Sequence, residues 1–243
     1  QWYSSSFDLD LVKNHILTGG QPWESFAVDK KNGGEFTKRD ASIALRRAEE
    51  HATTIYPLFT SEYAIAYGYS AYELKEYSND KKKVDEYTTI IMDRIARGDA
   101  DLNAKIASNA NVRPSQYGWG LFYKAFALTN LYTAGTYKDT AEIEKAYKTA
   151  IIYQEQVPRI EVAVNERLNY MLFLSSVSDP VAEEKIKEQI STLFAKGLET
   201  NQKYKDSLAV LIKDPRYNKN FGKIAILSSQ FKNLIISLGL REN

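Results

Sequence analysis

The stretch AYGYSAYELKEY (residues 66–77) meets a counterpart sixty residues later in FALTNLYTAGTY (126–137). At that offset Tyr63 falls on Tyr123, Tyr72 on Tyr132, Tyr77 on Tyr137, Tyr87 on Tyr147 and Ile91 on Ile151. An echo at a fixed period is the mark of structurally equivalent units laid side by side. Within each copy the aromatic and small residues recur at three- and four-residue spacing, the period of one helix face. The echo therefore predicts paired helical hairpins. It does not say what they bind, and no other stretch of the chain names a reaction.

Outward from the echo, helical periodicity continues in both directions. Thr37 is a plausible cap for a helix over 38–55, which stops before Pro57 because proline disfavours helix at the residue preceding it. Segment 61–77 places Tyr63, Tyr67, Ser70, Leu74 and Tyr77 on one stripe, and 81–97 carries Val84, Tyr87, Ile91 and Ile95. Gly98 has the backbone freedom to close that helix, which leaves 100–108 as a minor one. Pro114 suits a first turn, and 115–134 presents Leu121, Ala125, Leu128 and Tyr132. Gly135 turns the chain into 139–157, which Pro158 ends. Segments 160–177, 181–198, 202–213 and 223–238 follow, punctuated by Asp-Pro at 179–180 and 214–215.

No strand pattern emerges, so the expected class is all-α, with about nine helices in antiparallel hairpins. One helical, repeat-like domain is expected over 36–243. Residues 1–35 read as an irregular strap with a short helix over 7–16. The glycine- and proline-bearing stretch 17–36 is a surface strap pinned by Trp23 and Phe26, or a lid.

The bulk numbers exclude several classes. The 243 residues carry 32 basic and 31 acidic side chains, a net charge of +1, so the broad attraction for phosphates on which nucleic-acid binders depend is missing. Lys81-Lys82-Lys83 and Arg46-Arg47 lie near acids and read as solvated helix faces. Cysteine is absent, which removes disulfides, thiolate metal sites and cysteine nucleophiles. No apolar run approaches the roughly 18 to 20 residues of a membrane span. The numbering opens on Gln1; a removed secretory leader of the lipoprotein kind, its anchoring cysteine omitted, fits that start. The expectation is an exported protein, periplasmic or cell-surface associated, with a trimmed cytoplasmic chain fitting nearly as well.

Chemistry-bearing spacings are hard to find. His15 and His51 are the only histidines, and Ala48 occupies the place where a Glu-x-x-His ligand pair would need its acid. No His-Glu-x-x-His, Gly-x-Ser-x-Gly or phosphate-cradling glycine loop occurs. Gly118-Trp119-Gly120 starts a dinucleotide fingerprint, but Tyr123 stands at the third glycine. Adjacent acids such as Glu183/Glu184 point to different azimuths of a helix. The sequence thus offers no catalytic residue, no metal ligand set and no cofactor site. A carboxylate pair drawn from distant helices stays open as a third, enzymatic reading.

The remaining lead is aromatic, with 17 tyrosines in the chain. Tyrosine joins apolar area to one polar tip, which suits helix wedges and wet binding surfaces alike. Tyr63, Tyr67 and Tyr132 sit on the stripes and read as core. Tyr69, Tyr117 and Trp119 sit off the stripes or at their ends, and with Trp23 they are the candidate partner-binding residues.

The segment 66–77 resembles the first helix and turn of a tetratricopeptide repeat, with Gly68 at the small helix position, Tyr72 at an aromatic one and Tyr77 at the turn tyrosine. The second copy keeps Tyr132 and the turn itself, Gly135-Thr136-Tyr137. The departures are a period of sixty rather than about 34 residues, Leu128 at a small position, Lys75 at the first turn glycine, and Lys124 where the family prefers Trp. The resemblance covers 61–97 and 121–158. It implies a short α-solenoid and a non-catalytic module that takes a protein or peptide in a concave groove. The alternative is an exported, lipoprotein-like small-ligand binding protein, such as a transporter-accessory component.

Overall fold

A computed structural model describes residues 57–158, 160–213 and 229–238, apart from the side chains of residues 161 and 230. Every described element is helical: α1 (Leu58–Ala71), the single turn α2 (Glu73–Glu76), α3 (Lys81–Ala107), α4 (Pro114–Thr133), α5 (Thr140–Gln154), α6 (Ile160–Ser176), α7 (Ala182–Ala195), α8 (Gln202–Lys213) and α9 (Ser229–Ser237). The all-α expectation therefore holds for the described residues, and no helix among them is long and apolar enough to cross a membrane. The expected helix 38–55, the strap and both histidines lie outside them. Where the sequence suggests one domain from residue 36, the chain groups into two compact units, with the division inside α5 between Ala146 and Tyr147.

In the first unit α1 is the centre. It packs against both α3 and α4, so residues all round it are buried, including Phe59, Tyr63, Ala64 and Ala66. No side chain of its own caps its start. Instead the Asp101 carboxylate on α3 accepts the Phe59 N–H at 2.9 Å, forty-two residues away in sequence. A carboxylate at that position satisfies an orphan donor and complements the positive end of the helix dipole.

Two expected boundaries need correction. Gly98 does not end a helix: α3 runs unbroken from Lys81 to Ala107, absorbing the separate segment 100–108. A Cβ at position 98 would lie 2.5 Å from the Tyr63 ring, so the glycine serves close approach rather than chain reversal. Helix 61–77 is also interrupted, because a distortion at Tyr72 (φ −106°, ψ −69°) separates α1 from α2. Other signals hold. Asp80 caps α3 by accepting the Lys83 N–H at 3.2 Å, and Pro114 opens α4. Gly135, at φ 78°, ends α4 as the Thr136 N–H reaches back to the Leu131 carbonyl at 3.0 Å.

In the second unit α6 packs on α7 and α8. Tyr147 stacks on Tyr170 with ring centroids 5.6 Å apart, over a core of Met171, Leu174, Ile186, Ile190 and Leu208. Apolar residues spaced along 160–177 and 181–198 predicted these faces.

Candidate functional site

The charged groups that the first unit buries are committed to one another. Lys124 projects from the apolar face of α4 with only 7% of its side chain exposed, and its ammonium donates to Asp99 at 2.7 Å and Glu142 at 2.6 Å. Asp99 also accepts the phenol of fully buried Tyr63. Burial first, and then the hydrogen bond and charge of Asp99, raise the Tyr63 pKa far above that of an ordinary phenol. On the neighbouring turns of α3, Arg94 pairs with buried Glu62 at 3.2 Å, and Lys105 with Asp101 at 2.7 Å. These groups pair with one another, which offsets much of the cost of burying them. Among the described residues no cluster of three or more acids and histidines is arranged to hold a metal ion.

The second unit has a smaller network. Arg167, 7% exposed, donates to Glu155 at 2.6 Å and to Gln189, and Lys196 pairs with Glu155 from the other side.

An open space lies elsewhere in the first unit, along α1, α2 and α4. It is a cleft of about 490 Å³ lined by Tyr67, Ser70, Ala71, Leu74, Lys75, Ser78, Asn130, Thr133 and Ala134. It lies at the C-terminal ends of the two matching helices, beside their turns. Below it the helices are clamped by rings, with Tyr67 stacked on Phe126 at 5.0 Å and on Tyr123 at 6.0 Å. Asn130 donates its side-chain amide to the Ser70 hydroxyl at 2.9 Å, a bond between residues that the sixty-residue offset pairs. Ser70 in turn donates to the Tyr67 carbonyl at 2.8 Å. Leu74 is buried in the wall, and Lys75, Ser78, Thr133 and Ala134 form an exposed rim. Lys75 is the only charged lining residue among the described residues.

The candidate residues are not brought together there. Tyr117 is 8% exposed and stacks on Phe59 at 5.3 Å, so it packs inside the α1–α4 contact and presents little surface to a partner. Tyr69 is half-buried against Tyr87, 6.2 Å away, and Tyr77 stacks on the same ring at 5.8 Å. Trp119 is half-buried beside Phe122 and Tyr123 of its own helix. Trp23 lies outside the described residues. Tyr67, read as core, instead lines the cleft, while Tyr63 is core as expected. Lys75 and Lys124 attracted notice as departures from a repeat pattern. That signal found the cleft's one charge and the hub of the buried network, but not their partners.

Comparison with protein-family models, with curated proteins and with solved structures gave no match.

Proposed function

We propose that this chain is a non-catalytic binding module, a degenerate tetratricopeptide-like stack of hairpins that receives a segment of a protein or peptide partner in the cleft along α1, α2 and α4. The observation carrying this reading is the cleft itself, an open space walled by Tyr67 and Leu74 between two helices that echo each other. Interhelical clefts with apolar walls and a few polar groups are where helical proteins commonly hold ligands. The buried acids and bases in the first unit are tied to one another, and none of them lines this cleft. The contact of α1 with α4 joins the first helices of the two echoing segments, as stacking of repeats would require. A small-ligand reading draws support from the volume, which falls within the roughly 300–1,000 Å³ of such pockets.

The test is affinity capture by the full chain and by Ala134→Trp, whose side chain fills the cleft from its exposed rim. The proposal expects a partner retained by the native chain and lost by the variant at unchanged helical circular dichroism. Equal retention by both would show that the partner binds elsewhere.

A further inference from the structure

The chemistry of the lining says more about the occupant than its shape does. Nine of the described residues line the cleft, and none of these is acidic. Lys75 lies on its exposed rim and makes no ion pair among the described residues. Asn130 uses one amide hydrogen on Ser70, which leaves a second N–H on the same nitrogen. Ser70 has already given its own hydrogen to the Tyr67 carbonyl. Acceptor oxygens of Asn130, Ser70 and Thr133 stand beside the Asn130 N–H and the Lys75 ammonium, and the one charge among the described lining residues is positive. Ala71, Leu74, Ala134 and the Tyr67 ring supply the apolar remainder.

We propose that the occupant is a peptide segment carrying a carboxylate next to an apolar side chain. The carboxylate pairs with Lys75 at the rim, and the apolar side chain lies against Leu74, Ala71 and Tyr67. This inference rests on the binding reading above and deepens it by naming the partner's chemistry. An occupant bearing a cation would meet the Lys75 ammonium with no acid in the lining to offset it. A peptide fits better than a free acid, because the rim of Lys75, Ser78, Thr133 and Ala134 is exposed and lets the ends of a longer chain run out of the cleft.

Selection of displayed random peptides on the immobilised full chain tests this. The native protein should enrich sequences with Asp or Glu beside Leu, Phe or Met. Lys75→Glu, a change at an exposed position, should bind the selected peptides about tenfold more weakly and select Lys or Arg instead. Ala134→Trp should enrich nothing. Enrichment without a carboxylate, or with a carboxylate preference unchanged in Lys75→Glu, overturns the inference while leaving the binding reading intact. If no peptide is enriched, the peptide-binding reading fails with it. If in addition 4-phenylbutyrate, but not 4-phenylbutylamine, shifts the Asn130 amide resonances, the cleft belongs to a small acid and not to a peptide.

Discussion

Glu166 on α6 has no exposed surface, and neither carboxyl oxygen has a hydrogen-bond partner among the described residues. Burial raises its pKa well above the ordinary value of 4.5; the charge of Glu155 adds to the shift, and the Gln154 side chain opposes it. The sign of the linkage follows from that direction. In the unfolded chain the carboxyl ionises near 4.5, whereas in the folded protein it stays neutral to higher pH. Its contribution to stability is thus fully present below the unfolded value and is lost as pH rises towards the folded one. Urea unfolding between about pH 4 and about pH 8 should show the native chain losing stability that Glu166→Gln retains, with a gap of about 1–3 kcal/mol at the upper end. Parallel pH profiles for the two proteins would contradict this account of the site. Lys124 makes the opposite case, a buried charge with partners. Lys124→Met should cost about 2 kcal/mol, less than the roughly 3–5 of a fully buried pair because Asp99 and Glu142 are 38% and 32% exposed and water screens them. An unchanged urea midpoint would show that the network is ornamental. A lysine among Leu121, Ala125 and Leu128 is visible in the sequence. Its pairing with Asp99 and Glu142 is not, because those contacts exist only once three helices are assembled.

At the scale of elements, α1 is held by two glycine notches. The Tyr63 ring sits where a Cβ of Gly98 on α3 would be, and the Phe59 ring blocks a Cβ of Gly120 on α4 at 2.8 Å. Both rings are fully buried. Alanine is the better helix former by about 1 kcal/mol, yet forcing a methyl group against a fixed ring costs about 1–3 kcal/mol. Gly98→Ala and Gly120→Ala should therefore lower the thermal midpoint, and relief of Gly98→Ala by Tyr63→Leu would confirm the cause. A rise in the midpoint of either single variant would show that the notches are slack. Helix existence and buried faces were legible here from periodicity alone, as Ile91, Ile95, Leu121 and Leu128 illustrate. The reading of Gly98 failed because a glycine that ends a helix and one that admits a neighbour's ring look alike in sequence. The spacing Ile91, Ile95, Gly98, Leu102 continues the buried face straight through it, and that was the available sign.

For the whole molecule, the sixty-residue echo locates both the packing and the opening. Its paired positions Tyr63 and Tyr123 are buried, while Ser70 and Asn130 join across the cleft. Of the aromatic residues off the stripes, Tyr117 stacks on Phe59 within the helix contact and does not line the cleft. The residues that line the cleft include Ser70 and Leu74, which periodicity marks as packing residues, because a stripe in sequence does not show where along it a space is left between helices. Binding in this cleft must protect the two segments that wall it. Hydrogen exchange of the full chain, measured with and without a captured partner or selected peptide, reads that protection. Slowed exchange confined to 67–78 and 130–136 is the predicted result. Protection elsewhere in the chain, with these two segments unchanged, would contradict it.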